Sequence, residues 1–206
     1  MSTIKVDTIA TRTGSGNITA SNTIAGTSAT LSGTLGVTGN TTVGGTLVNT
    51  GLITASAGVS IGSGGSSNVI DDYEEGTWTA GISAGSGSIA LQSSYQTGLY
   101  TKIGDMVYVN IHIRIGALSS NSGTLAITGL PFASPNDTKY RFSGVCSAHF
   151  GLQNLGAGDR LMPYLSSNSS QMNISNANGN SISSNSNSYM VANQSEMYLT
   201  LCYKTS

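Results

Sequence analysis

The chain has 206 residues, of which 8% are charged and 27 are glycine; Lys and Arg number 8 and Asp and Glu 9, for a net charge of −1. So few cations exclude a phosphate-neutralising surface, and with it a nucleic-acid partner; a charged fraction far below the roughly 25% of ordinary domains also argues against a typical enzyme. With 38% hydrophobic residues and almost no net charge, the composition is equally wrong for a disordered chain.

No apolar run approaches the roughly 18 residues of a membrane span, so no membrane insertion is expected. Met1 to Ala10 lacks the basic-then-apolar layout of a secretion signal, which predicts synthesis in a cytoplasm without export by that route. Ser2 to Ile9 reads as a strand with Ile4 and Val6 on one face and Ile9 on the other. That pattern suits a segment covered on both sides, and these three residues are the candidate attachment to a partner surface. Gly14-Ser15-Gly16 breaks the strand, and the first region is taken as residues 1–27.

The second region, 28–67, carries a hexad. Glycine recurs at Gly33, Gly39, Gly45 and Gly51, with Leu31, Val37 and Val43 two positions ahead of the first three. Leu35, Leu47, Ile53 and Val59 keep the same six-residue interval, with Thr41 filling the missing beat. One inward apolar anchor per turn and one residue free to take positive φ suit the corners of a β-solenoid or an intertwined β-fibre. A single chain has too few hexads to bury a continuous core by itself, whereas three chains could each supply one hexad per layer. The expectation is a short trimeric shaft, under roughly 110 Å even if fully extended, anchored by Leu31, Val37, Val43, Leu47, Ile53 and Val59 and ended by the connector Gly62-Ser63-Gly64-Gly65-Ser66-Ser67.

From residue 68 to 206 the texture changes to period-two strands. Val107, Val109, Ile111, Ile113 and Ile115 share one face and Tyr108, Asn110, His112 and Arg114 the other, which predicts a strand with one buried side. Further strands are expected at 77–83, 99–103, 123–128, 140–149, 161–166, 171–175 and 196–204, and no helix of useful length. Their number and spacing predict an all-β head of β-sandwich or jelly-roll type. Pro131 and Pro135 flank a loop. Cys146 and Cys202 are too few for a disulfide framework and are expected as buried thiols, a bridge being the alternative. Trp78, the sole tryptophan, reads as an anchor of the core or of a trimer axis.

Ile70-Asp71-Asp72-Tyr73-Glu74-Glu75-Gly76-Thr77-Trp78-Thr79 resembles the signature that opens C-terminal domains of tail-fibre and related structural proteins of bacteriophages, especially those of cyanobacteria and other aquatic hosts. Gly98 to Val109 is similar to the companion segment of that family, and Ile127-Thr128-Gly129-Leu130-Pro131-Phe132 resembles its third. Met1 to Ile9 is similar to the opening of such proteins. Ala80 departs from the family, which often has proline there. The resemblance implies a homotrimer in the virion, assembled in the cytoplasm of a host bacterium. Its N-terminal end would attach to a tail or baseplate protein and its C-terminal β-domain would face the host.

Asp71, Asp72, Glu74 and Glu75 are the tempting catalytic constellation, because glycoside hydrolysis uses paired carboxylates across a sugar. They are adjacent in sequence and belong to a shared structural motif, so turn formation or inter-subunit hydrogen bonding is the preferred role and no catalytic residue is assigned. His112 and His149 have no second ligand at metal spacing, and nothing requires a cofactor; His112 is expected to be exposed or hydrogen-bonded. The Ser/Asn-rich stretch 166–188, flanked by Tyr164 and Tyr189, offers amide and hydroxyl groups that match sugar hydroxyls. Tyr164, Asn168, Asn173, Asn176, Asn178, Asn185 and Tyr189 are therefore candidate glycan contacts, the alternative being solvated loops. The resulting expectation is a tail fibre or receptor-binding protein that recognises a bacterial surface polysaccharide through multivalent, weak contacts. A non-adhesive virion component and a polysaccharide-cleaving spike remain the competing readings.

Overall fold

A computed structural model describes residues 30–62, 69–152, 160–176 and 190–205. Ile4, Val6, Ile9, Asn178, Asn185 and Tyr189 lie outside them. The chain divides into two units, Met1–Leu52 and Ile53–Ser206.

In the first unit the hexad is visible as geometry. The backbone bends at Ser32-Gly33, Thr38-Gly39, Gly44-Gly45 and Thr50-Gly51, one corner every six residues, with extended chain between. The expected shaft anchors Leu31, Val37, Val43 and Leu47, and beyond them Ile53 and Val59, are all 48 to 69% exposed. The glycines here have open space around them, with nothing within 4 Å of a Cβ placed on Gly33, Gly39, Gly45 or Gly51. A lone copy thus leaves every apolar rung in water.

The second unit is all-β and every strand pairing is antiparallel. Strand β1 (Val59–Ser60) pairs with β2 (Val69–Ile70), which ties the end of the hexad region to this unit. The remaining strands are β3 (Tyr73–Thr79), β4 (Gly81–Ser83), β5 (Ser86–Leu91), β6 (Thr97–Ile103), β7 (Met106–Ser122), β8 (Ala126–Thr128), β9 (Phe142–Phe150), β10 (Leu161–Leu165), β11 (Met172–Asn176) and β12 (Glu196–Lys204). They form one ten-stranded sheet in the order β3-β6-β7-β12-β9-β10-β11-β8-β4, with β5 alongside the far end of β7. The two ends of that order, β3 and β4, are separated in sequence by Ala80 alone, so the sheet curls until its edges meet at a corner. Ala80 is buried there, and its N–H donates to the Gln96 carbonyl at 2.7 Å.

One core fills the curl. Val107, Val109, Ile111, Ile113 and Ile115 are at most 2% exposed, as the period-two pattern predicts, and each contributes about 1.5–3 kcal/mol by leaving water. They meet Met197, Leu199, Leu201 and Tyr203 from β12 and Leu161, Leu165, Met172 and Ile174 from β10 and β11. Strand β9 pairs with both β12 and β10 and so joins the two halves of the curl, with a register shift opposite Tyr198 and Leu199. Trp78 belongs to this core, at 5% exposure, rather than to an exposed axis position.

Three expectations are corrected. Strand β3 begins at Tyr73, not Thr77, so Glu74 and Glu75 of the acidic motif lie within a strand and Asp71 and Asp72 just before it. Strand β5 was not expected, because Ser86-Gly87-Ser88 offers no apolar alternation. Cys202 is exposed and Cys146 half-buried: Cys202 shares the outward side of β12 with Thr200 and Lys204, the inward side being taken by Leu201 and Tyr203.

Tyr203 closes the core against the loop bearing Pro131. Its hydroxyl donates to the Phe132 carbonyl at 2.9 Å, and burial pushes its phenol up to about 12. A folded value above the unfolded value near 10 means that the neutral tyrosine stabilises the fold fully below pH 10, and that this contribution fades between pH 10 and 12. Urea unfolding at stepped pH is expected to lose about 2–3 kcal/mol over that window. The step should be missing in Tyr203→Phe.

Candidate functional site

Three of the four carboxylates of the acidic motif, those of Asp72, Glu74 and Glu75, are engaged within the chain. Asp72 accepts an ion pair from Lys102, whose stem is buried and whose ammonium lies 5.5 Å from the centre of the Phe132 ring. Glu74 accepts from the Tyr100 hydroxyl, and Glu75 from the Tyr73 hydroxyl at 2.9 Å. Those hydrogen bonds hold both phenols above their usual value. The cross-strand pairs Glu74 with Lys102 and Glu75 with Thr101 put the two glutamates on opposite faces of β3. Neighbouring carboxylates on opposite faces of one strand do not converge on a substrate as a hydrolytic pair must.

Of the expected glycan contacts, the structure brings together Tyr164 and Asn173, cross-strand partners on β10 and β11 and both half-buried. Asn176 pairs with Leu161 at the far end of the same hairpin. Asn168 lies in the tight turn between the strands with φ at 50°, a conformation asparagine tolerates, and its N–H donates to Pro135 O at 2.9 Å.

A more elaborate site lies elsewhere, on the outward side of β7, β12 and β9. The register pairs Arg114 with Glu196 with Phe150, and His112 with Tyr198. His112 Nε2 is 3.0 Å from Glu196 Oε2, and Arg114 Nε lies 3.4 Å from Glu196 Oε1. The His112 ring meets Tyr95 edge-on with centroids 4.7 Å apart and Tyr198 at 4.4 Å; Phe150 meets Tyr198 at 5.9 Å. Arg114 also lies over the Tyr95 ring at 5.8 Å and donates to the Asn193 carbonyl. The three ionisable side chains remain 20 to 36% exposed, and Phe150 is more than half exposed.

The surroundings fix this cluster. Tyr95 comes from a single 3-10 turn, Ser93–Tyr95, between β5 and β6. Asn193, at φ 59°, is held by its N–H to Ile115 O at 2.8 Å and by Gln92 Nε2 donating to its Oδ1 at 2.9 Å. Ser195 is wholly buried beneath; it accepts from Val191 N at 2.7 Å and donates to Gly151 O at 2.8 Å. Four aromatic rings around a cation and a carboxylate provide stacking faces and charge-assisted donors and acceptors in one place. Sequence reasoning placed His112 and Arg114 on a polar face but missed their partners, which arrive from three elements separated by dozens of residues.

Strands β3 and β6 also border an open depression of about 410 Å³ lined by Glu75, Gly76, Thr77, Leu99, Tyr100 and Thr101. Among the described residues no group of three or more His, Cys, Asp or Glu is placed to hold a metal ion. No helix among them is long and apolar enough to cross a membrane.

No family model matches the sequence, and no curated protein matches it. Among solved structures, the crystal structure of the Dettilon tailspike protein is similar in fold, with a TM-score of 0.55 and 22% identity. The match covers 65% of this chain and 24% of that one, so it spans about a quarter of the tailspike's length. At that identity the likeness concerns the fold.

Proposed function

We propose that the chain is a bacteriophage tail fibre or tailspike-type receptor-binding protein, a homotrimer of the virion tail that adsorbs to a bacterial surface polysaccharide. The observation that carries this reading is the cluster of Tyr95, His112, Arg114, Phe150, Glu196 and Tyr198, which combines ring faces with paired charges on an open surface. Sugars are recognised by that combination, CH-rich faces against aromatic rings and hydroxyls against charged partners. Three further observations support it: the phage-type motif beginning at Asp71, the fold shared with a tailspike, and the hexads left bare in one copy. Three copies would cover those hexads and multiply a weak contact into firm attachment. The N-terminal region would bind the tail or baseplate, and the protein would be assembled in the host cytoplasm. The engagement of Asp72, Glu74 and Glu75 by Lys102, Tyr100 and Tyr73 supports adsorption without cleavage as the preferred reading.

Binding of the purified protein to polysaccharide extracted from candidate host cells tests this. Tyr198→Ala and Arg114→Ala are each expected to weaken binding roughly tenfold, with the far-UV circular dichroism unchanged. Full binding by both variants, with loss on replacing Tyr164 and Asn173 instead, would move the receptor site to the β10–β11 hairpin. Parent protein that binds no host extract would favour a non-adhesive virion component, and release of reducing ends would favour a cleaving spike.

A further inference from the structure

The outward side of β3, β6 and β7 carries a second zone, distinct in chemistry from the ion-pair cluster. Tyr73, Leu99, Ile103, Met106 and Tyr108 are each 47 to 61% exposed. The register places them in three successive rows: Tyr73, Ile103 and Met106 with Lys204; Thr101 and Tyr108 between Glu75 and Cys202; Leu99 between Thr77 and Asn110. Neighbouring strands stand about 4.8 Å apart and alternate residues about 6.7 Å, so the five side chains form one contiguous patch.

We infer that this patch is a subunit interface, covered by a second copy of the same chain in the homotrimer proposed above, on which the inference rests. The five side chains expose on the order of 600 Å², at the top of what a monomer usually shows in one patch. With the interleaved Thr77, Thr101 and Cys202 the zone reaches roughly the 800 Å² per partner of a stable interface. Charge does not oppose a copy: the charged side chains within the rows, Glu75 on β3 and Lys204 on β12, stand at opposite margins and are of opposite sign, Glu75 accepting from the Tyr73 hydroxyl and Lys204 lying 3.2 Å from Asp105. Threefold symmetry brings the same patch of every copy to one level along the axis, where large apolar side chains of neighbouring subunits can interleave. The outward side of the β10–β11 hairpin, with exposed Met162, half-buried Tyr164 and Asn173 and buried Ser175, offers no comparable run of exposed apolar side chains.

Cys202 sits at the margin of the patch and reports on it. The full chain is sized by light scattering and treated with N-ethylmaleimide, and modification is read separately on the peptides bearing Cys146 and Cys202. The expected result is a trimer whose Cys202 reacts roughly ten times more slowly than in Leu99→Glu/Tyr108→Glu, a variant in which the patches are expected to part whether or not the hexads still hold three chains together. Thr77→Arg, an exposed polar position within the zone, serves if the double variant loses its β-type circular dichroism, and it should also speed the reaction of Cys202. A trimer with freely reactive Cys202, or one whose Cys202 rate neither variant changes, overturns the interface and leaves the homotrimer standing. A monomeric parent defeats the homotrimer as well. Slow Cys202 in a monomer means that a segment of the same chain covers the patch, which also overturns the proposal.

Discussion

Trp78→Ala is expected to lower the unfolding free energy of the β-domain by about 3–5 kcal/mol, the cost of emptying a large buried site. The indole lies across Gly98, its cross-strand partner between β3 and β6, and a Cβ at position 98 would collide with the ring, 2.5 Å from Cε2 and 3.0 Å from Cδ1. The glycine is therefore half of the site: it makes room for the ring, and the ring covers backbone that has no side chain of its own. Trp78 Nε1 is buried without a hydrogen-bond partner among the described residues. Tryptophan here contributes area and not a polar contact, so Trp78→Phe should cost far less than alanine. Gly98→Val should approach the alanine loss by displacing the indole. Chemical denaturation followed by far-UV circular dichroism measures all three, since the only tryptophan is lost as a fluorophore. Comparable losses in Trp78→Phe and Trp78→Ala would contradict this account.

Gly144→Val is expected to cost about 3 kcal/mol or more and to abolish soluble β-domain at elevated temperature. A side chain there would run into the Thr200 carbonyl, and its Cβ would stand 3.0 Å from Pro163 Cγ and 3.2 Å from Leu201 Cα. Two of these atoms are backbone of the central strand, which cannot yield as a side-chain tip can. Gly144 pairs with Leu201 close to where β9 passes from β12 to β10, so the collision strikes both halves of the curl. Ser143→Val, one residue away and exposed, is the control and should shift stability by under about 0.5 kcal/mol. Equal midpoints for the two variants in urea would sink the argument.

How far the fold was legible depended on whether a residue's role was set by its near neighbours. Val107 to Ile115 alternate without interruption, and a strand with one buried face was readable from that alone. The hexad was readable too, because each corner needs its glycine within six residues of the last. Strand β5 was not: its first three residues are Ser86, Gly87 and Ser88, and it becomes a strand because the long β7 offers it an edge. The role of Glu74 was equally hidden, since Tyr100 is 26 residues away. The cluster around His112 belongs to the same class. Register, not spacing, brings Glu196 opposite Arg114 and Tyr198 opposite His112, and register depends on the whole sheet.

Strand β12 lies between β7 and β9 in the middle of the sheet, although it follows both in the sequence. During synthesis β7 and β9 must wait with their inner edges open until residues 196–204 have left the ribosome, and only then can the two halves join. Premature termination before Glu196 would thus yield a sticky, strand-hungry fragment instead of a smaller working protein. Such an order makes completion of the domain conditional on translation having passed residue 204.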